Sequence, residues 1–260
     1  MLKKIYNWST SWTGTLVIVL GIIFFVAQAF VIPSGSMKNT LLIGDMLFVK
    51  KYVYGIPTPR IPWLEVKVLP DFNDNGHLIE GDKPQRGDIV VFRYPKNDAI
   101  HYVKRLVATG GDLVAMVDKN LLIHFSEGEE YITKNFPKEK IVNFAGKSWV
   151  VNPYKEKHPG IHNDPEVVNN GYNPQALFNM MPIKVPEGEY FMMGDNRDHS
   201  NDSRFWGTVQ YKHIVGTPWF IYFSWDDEYK VRWNRMFKSV ETLEQEIDEN
   251  QKIEHKEGIY

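Results

Sequence analysis

The chain has 260 residues, with 30 Lys and Arg against 32 Asp and Glu, and no cysteine. Balanced charge leaves no basic footprint for nucleic acid, and the missing thiols exclude disulfides, cysteine nucleophiles and cysteine-based metal sites. A domain of this composition must hold itself together by its core.

Lys3 and Lys4 precede an uncharged run from Trp12 to Ile32, whose helical length of roughly 30 Å matches the hydrocarbon core of a bilayer. With Trp8 and Trp12 as interfacial aromatics, the pattern predicts one crossing over 12–32, residues 1–11 cytoplasmic and everything after Ile32 exported. A cleaved leader also fits, because Ala27-Gln28-Ala29 follows the small-x-small rule. The apolar run continues through Phe30, Val31 and Ile32, which favours a retained anchor.

Beyond the anchor, Gly-Asp turns recur ahead of short β-branched and aromatic runs: Gly44-Asp45 before 46–49, Gly87-Asp88 before 89–92, and Gly111-Asp112 before 113–116. Such runs read as strands, and further strands are predicted over 99–107, 121–125, 190–193 and 216–225. The expected fold class is mainly β: an antiparallel core over 33–111 and 186–238, with an inserted irregular β subdomain at 112–185. Within the insert, 152–182 turns to Asn, Pro, Gly, Lys and His without periodicity, the composition of long loops. The aromatic run 218–225 suits either an apolar surface resting on a bilayer or ordinary β-core. Residues 239–260 are strongly acidic and read as a tail or frayed helix.

Ser36 lies in the small-residue turn Pro33-Ser-Gly-Ser-Met37 just after the anchor, a candidate nucleophile that needs a neighbouring base. None of the eight histidines has a compelling setting, and there is no Gly-x-Ser-x-Gly elbow, His-Glu-x-x-His pair or P-loop. Lysine is the other base, provided burial lowers its pKa. In a strand over 100–108, alternation puts Ile100, Tyr102, Lys104, Leu106 and Ala108 on one face, with His101, Arg105 and Thr109 opposite. Lys104 is then flanked by apolar neighbours, although a lysine snorkelling from a strand edge satisfies the same pattern. A third cluster, Gly194-Asp-Asn-Arg-Asp-His-Ser-Asn-Asp-Ser-Arg-Phe-Trp-Gly207, suits an ion-pair and hydrogen-bond network. As a calcium loop it is disfavoured, since Arg197 and Arg204 would compete with the cation.

Four segments in order carry a family resemblance: 34–37 with 41–45, Arg86-Gly-Asp-Ile-Val-Val-Phe92, Tyr102-Val-Lys-Arg105 with Gly111-Asp112, and 194–207. Together they resemble the bacterial type I signal peptidases, the leader peptidase family of Ser-Lys proteases. The resemblance implies a membrane-bound serine endopeptidase that removes N-terminal signal peptides from exported preproteins after an Ala-x-Ala pattern, single-pass in the bacterial inner membrane with its catalytic domain on the exported face. It implies Ser36 as nucleophile and Lys104 as general base. Ser34 matches the oxyanion-hole hydroxyl, and Ser200 the serine that orients the lysine. Gly194, Asp195, Arg197, Asp202 and Arg204 become structural support. Met37, Leu41 and Tyr102 would line the pocket before the cut; Phe30, Ile32, Leu47, Val91 and Val103 would lie near the next small pocket. Preproteins and membrane lipid are the implied partners, with no nucleic acid, cofactor or metal.

The chain departs from the family pattern where prolines are common, with Asn39 three residues after the nucleophile and Gly110 before Gly111-Asp112. Its single crossing and cysteine-free insert differ from members with two crossings and a disulfide. Two other classes stay open: a non-catalytic anchored β-domain that binds exported chains, and a self-cleaving Ser-Lys repressor, which would need a helix-turn-helix where the apolar segment stands.

Overall fold

The computed structural model describes residues 1–61, 65–72 and 74–257. The chain opens with α1 (Leu2–Ser9) and α2 (Trp12–Phe25), which meet at 80°. Ser11 starts α2, its hydroxyl accepting the Gly14 N–H as an N-cap does. The expected crossing over 12–32 is not one helix. α2 stops at Phe25, about 21 Å long by its rise, and Ala27–Val31 becomes strand β1, antiparallel to β2 (Asp45–Lys50) with Phe30 opposite Leu47. Among the described residues no single helix is long and apolar enough to cross a membrane; the bent α1–α2 pair is so only when taken together. Apolar content could not locate this change, because lipid-facing helix and core-facing strand use the same side chains. The freed carbonyls of Ile23 and Phe24 accept from the Lys51 amine at 3.2 and 3.5 Å, which ties the helix end to the sheet.

The other elements are β3 (Gly55–Pro57), β4 (His77–Glu80), β5 (Ile89–Tyr94), β6 (Asn97–Thr109), β7 (Leu113–Val117), β8 (Asn120–His124), α3 (Glu129–Asn135), β9 (Ile141–Phe144), β10 (Lys147–Val151), β11 (Met180–Lys184), β12 (Glu189–Met193), α4 (Ser203–Trp206), β13 (Val209–Gln210), β14 (Ile214–Ser224) and α5 (Val240–Glu257). Among the described residues they form a seven-stranded sheet ordered β1-β2-β14-β5-β6-β12-β13, a five-stranded sheet ordered β11-β7-β8-β10-β9 and the pair β3-β4. The pairings are antiparallel, so the mainly β, antiparallel expectation holds.

The Gly-Asp turns show why they start strands. Gly44, Gly87 and Gly111 adopt φ of 86°, 99° and 90°, where a β-carbon is strained. Each following aspartate turns back to accept the N–H three residues earlier, Asp45 from Leu42, Asp88 from Gln85 and Asp112 from Thr109, at 2.8 to 2.9 Å. Strands β9, β10 and β11 lie outside the expected set. The β9-β10 hairpin turns through Ala145 and Gly146, at φ of 51° and 73°, a two-residue turn whose alanine hides the usual Asn-Gly signal.

One core serves both large sheets. Val107, Ala108 and Phe191 of the seven-stranded sheet pack with Val114, Leu121 and Ile123 of the five-stranded one. A second cluster joins Ile32, Met37, Leu41 and Leu47 to Val240 and Leu243 of α5, so the acidic C-terminal segment docks by an apolar stripe.

Candidate active site

Ser36 sits in a single 3-10 turn, Gly35–Met37, entered from the extended Ser34. It is buried, at 7% exposure. The turn is clamped from behind by Asn196, whose N–H donates to the Ser36 carbonyl (3.1 Å) and whose amide donates to the Gly35 carbonyl (3.0 Å). Gly194 presses on the same place. A β-carbon there would lie 2.4 Å from the Ser36 carbonyl oxygen and 2.3 Å from Ser200 Oγ, so no other residue fits. Asn39 takes φ of 77°, which proline, fixed near −65°, cannot adopt; its amide instead meets His162 Nδ1 at 3.1 Å.

Lys104 comes from β6, paired with Val90 of β5, and is 3% exposed. Its Nζ lies 2.6 Å from Ser36 Oγ and 3.0 Å from the Val103 carbonyl oxygen. Burial lowers its pKa to about 8, against the opposing pull of Asp202 and Asp195. A useful fraction is therefore neutral near physiological pH, and over 2.6 Å a neutral amine can take the serine proton. Ser34 is exposed with Oγ 3.5 Å from Ser36 Oγ. Ser200 is buried, and its hydroxyl helps to hold the Asp202 carboxyl below its usual range.

Behind the pair runs a buried ionic network. Arg105 grips Asp195 with two bonds, of 2.8 and 2.7 Å, and Arg204 grips Asp202 in the same bidentate way, at 2.8 Å twice. Asp195 also accepts from Thr40 Oγ1 at 2.7 Å, and Asp202 from the Gly194 N–H at 3.1 Å. Burial opposes ionisation of both carboxyls, yet Arg105 and Arg204 hold them below the usual range. Arg197 is buried beside them, and burial lowers its pKa to about 10.

In front of the pair lies a cleft of about 310 Å³. Phe30, Ile32, Met37, Tyr102 and Val103 line it with Ser34, Ser36 and Lys104. Leu41, Leu47 and Val91 do not reach it and pack in the cluster behind. The cleft also has a wall that sequence reasoning did not place there, His101. Its ring meets Phe30 edge-on at 5.0 Å, and its Nε2 lies 3.7 Å from Glu65. Burial pushes this imidazole down to about 4, so it is neutral in use. Strict alternation also fails further along β6, where the pairing with β12 slips between Leu106 and Ala108. Leu106 stays with Tyr102, whereas Val107 and Ala108 both enter the core shared with the other sheet, as a bulge allows.

A buried serine and a buried lysine thus lie within 2.6 Å of each other beside a small apolar cleft. The family model described as signal peptidase, peptidase S26, matches residues 5–225. A signal peptidase I of Helicobacter pylori (strain J99) is 47% identical over 280 residues, 95% of this chain and 97% of that one. One from Pseudomonas aeruginosa is 36% identical, covering 85% of this chain and 73% of its own length. A solved signal peptidase I from Enterococcus faecalis is 28% identical and covers 52% of this chain and 97% of its own, with a TM-score of 0.30, too low to carry an argument about fold. The chain belongs to the signal peptidase family, peptidase S26, and is a serine endopeptidase.

Proposed function

We propose that this enzyme is membrane-anchored and removes signal peptides from exported preproteins, cutting after Ala-x-Ala with Ser36 as nucleophile and Lys104 as general base. The observation that carries the assignment is the 2.6 Å approach of a buried amine with pKa near 8 to a buried serine hydroxyl. Neutral Lys104 takes the Ser36 proton as Oγ bonds to the scissile carbonyl carbon. Charge that develops on the carbonyl oxygen is met by the Ser34 hydroxyl and the Ser36 N–H. The ammonium then gives its proton to the leaving amine, and water repeats the sequence on the acyl-enzyme. Ser200, buried in the same segment as Asp202, orients the amine, as a carboxylate orients histidine in other serine proteases.

The substrate adds as an extended strand beside β1, the edge of the seven-stranded sheet. Its small side chains meet Met37 and Ile32, two buried residues of the cleft lining. Residues 1–11 stay cytoplasmic, the segment 12–32 reaches the membrane through α2, 33–111 with 186–238 form the catalytic domain, 112–185 the insert and 239–260 a C-terminal extension. Exposed Trp219, Trp233 and Phe237 near that end favour a domain resting on lipid.

The test is cleavage of a preprotein ending its leader in Ala-x-Ala by purified wild-type, Ser36→Ala and Lys104→Ala enzyme in detergent, read by mass spectrometry. A single cut after the second alanine, absent in both variants, is expected. A cut that survives Ser36→Ala would overturn the assignment.

A further inference from the structure

The family match ends at residue 225, yet the chain continues into α5, and α5 reaches the network behind the nucleophile. Val240 and Leu243, at 5% and 3% exposure, seat its first turn in the cluster that contains Ile32 and Met37 of the cleft. One turn on, Glu244 Oε1 accepts from Arg105 Nη2 at 2.5 Å. Arg105 follows Lys104 in β6 and is 1% exposed. Its guanidinium is fully engaged: Asp195 takes two bonds, the Gly87 carbonyl and His158 Nδ1 take Nη1 at 2.7 and 2.9 Å, and Glu244 takes the remaining reach of Nη2. His158 Nδ1 sits between the two, 2.9 Å from Arg105 Nη1 and 3.2 Å from Glu244 Oε1.

We propose that Glu244 is a positioning residue for the reaction, holding Arg105 so that the Arg105–Asp195 pair fixes the loop that backs Ser36 and sets the charge balance around Lys104. The chain of contacts is short. Asp195 receives Thr40 Oγ1, just past the Ser36 turn, and its neighbour Asn196 holds the Ser36 and Gly35 carbonyls. Two carboxylates share one guanidinium, so Asp195 is less fully neutralised than in a closed pair and draws the Lys104 proton more strongly. Without Glu244 the guanidinium belongs to Asp195 alone, and one negative charge leaves the neighbourhood. Both changes disfavour the Lys104 ammonium. The charged groups that act on Lys104 are Asp202 and Asp195, and the Tyr102 ring lies 5.1 Å from its Nζ; none of these is replaced in the variant.

This inference rests on the proposed Ser36–Lys104 pair. Wild type, Glu244→Gln, Glu244→Ala and, as a control for lost helix charge, the exposed Glu249→Gln are compared in detergent for kcat, KM and the pH dependence of kcat/KM on the same preprotein, with thermal unfolding alongside. Glu244→Gln keeps the shape and loses the charge, so the acidic limb of its profile should move to lower pH by roughly 0.3 to 1 unit. Glu244→Ala should also lose about 3- to 10-fold in kcat at the plateau with KM unchanged, and Glu249→Gln should match wild type. Profiles and kcat equal to wild type in both Glu244 variants, or a rate loss that only follows the fall in Tm, would overturn it. Ser36→Ala and Lys104→Ala run in parallel separate the two failures: cleavage that survives in them removes the dyad itself, while cleavage lost in them with Glu244 variants unchanged removes only the role of α5.

Discussion

The two large sheets share a core and a strand chemistry but treat charge in opposite ways. The five-stranded sheet buries Val114, Met116, Leu121, Ile123, Trp149 and Val150, and among the described residues no buried polar or charged side chain falls between 113 and 194. The seven-stranded sheet, with the 194–207 segment that follows β12, buries Lys104, Arg105, Asp195, Asp202 and Arg204 behind the Ser36–Lys104 contact. Replacing a buried ion pair by packed apolar groups is often neutral or stabilising, and the insert shows that this chain builds a sheet without such pairs. Charge concentrated on one side therefore marks work other than holding the fold, which is the reasoning that ties strongly shifted pKa values to functional sites.

The sharpest break in the comparison comes from Lys104→Arg. It keeps the charge but not the ability to lose a proton near neutral pH, so kcat/KM should fall by about 10⁴- to 10⁶-fold, the range seen when a catalytic group is removed from other serine proteases. In the wild type, kcat/KM should rise with pH as the amine deprotonates through about 8. A flat profile between pH 6 and 9 would count against Lys104 as the base.

Much of this was visible in the residues. The Gly-Asp turns announced β2, β5 and β7 because the geometry that needs glycine also needs the following carboxylate. Lys104 stood out by its apolar neighbours. Its contact with Ser36, 68 residues away, could come only from the family pattern, since spacing along a chain carries no information about which strands meet. The end of α2 was not legible, because Phe30 and Ile32 are apolar for the cleft rather than for lipid. His101 was assigned away from the lysine by alternation, but the mouth of the cleft takes residues from both faces of β6. Glu244 lies in the acidic run whose composition reads as a tail or frayed helix. Val240, Leu243 and Ile247 fall at helical spacing, and that stripe was the signal for a docked helix.

Two substitutions sharpen the contrast in stability. Asp202→Ala leaves Arg204, which bonds it through two nitrogens, buried without its partner, and should cost about 3 to 5 kcal/mol. Leu121→Ala, fully buried in the shared core, should cost about 2 to 4 kcal/mol by transfer and cavity formation. Urea unfolding measures both. The folded fraction of Leu121→Ala should retain wild-type kcat, whereas that of Asp202→Ala should not, because Asp202 supports Gly194 against the Ser36 carbonyl. Equal kcat in both folded variants would erase the distinction between the sheets.

The smallest effect is also the most direct reading of the cost of the site. Lys104 falls from 10.5 in the open chain to about 8 in the fold, so between those values the unfolded state binds the proton that the native state has released. Stability must rise with pH across that window and carry the full penalty below pH 8. Lys104→Met keeps the length and removes the proton, so at pH 7 it should be more stable than wild type by about 2 kcal/mol. The gap should shrink as pH rises from 8 towards 10.5, measured by urea unfolding at a series of pH values. A gap that stayed constant with pH would mean that the methionine gains by packing and that the lysine is not held against its own protonation; a gap that closed would show the fold giving up stability to keep a neutral amine beside a serine.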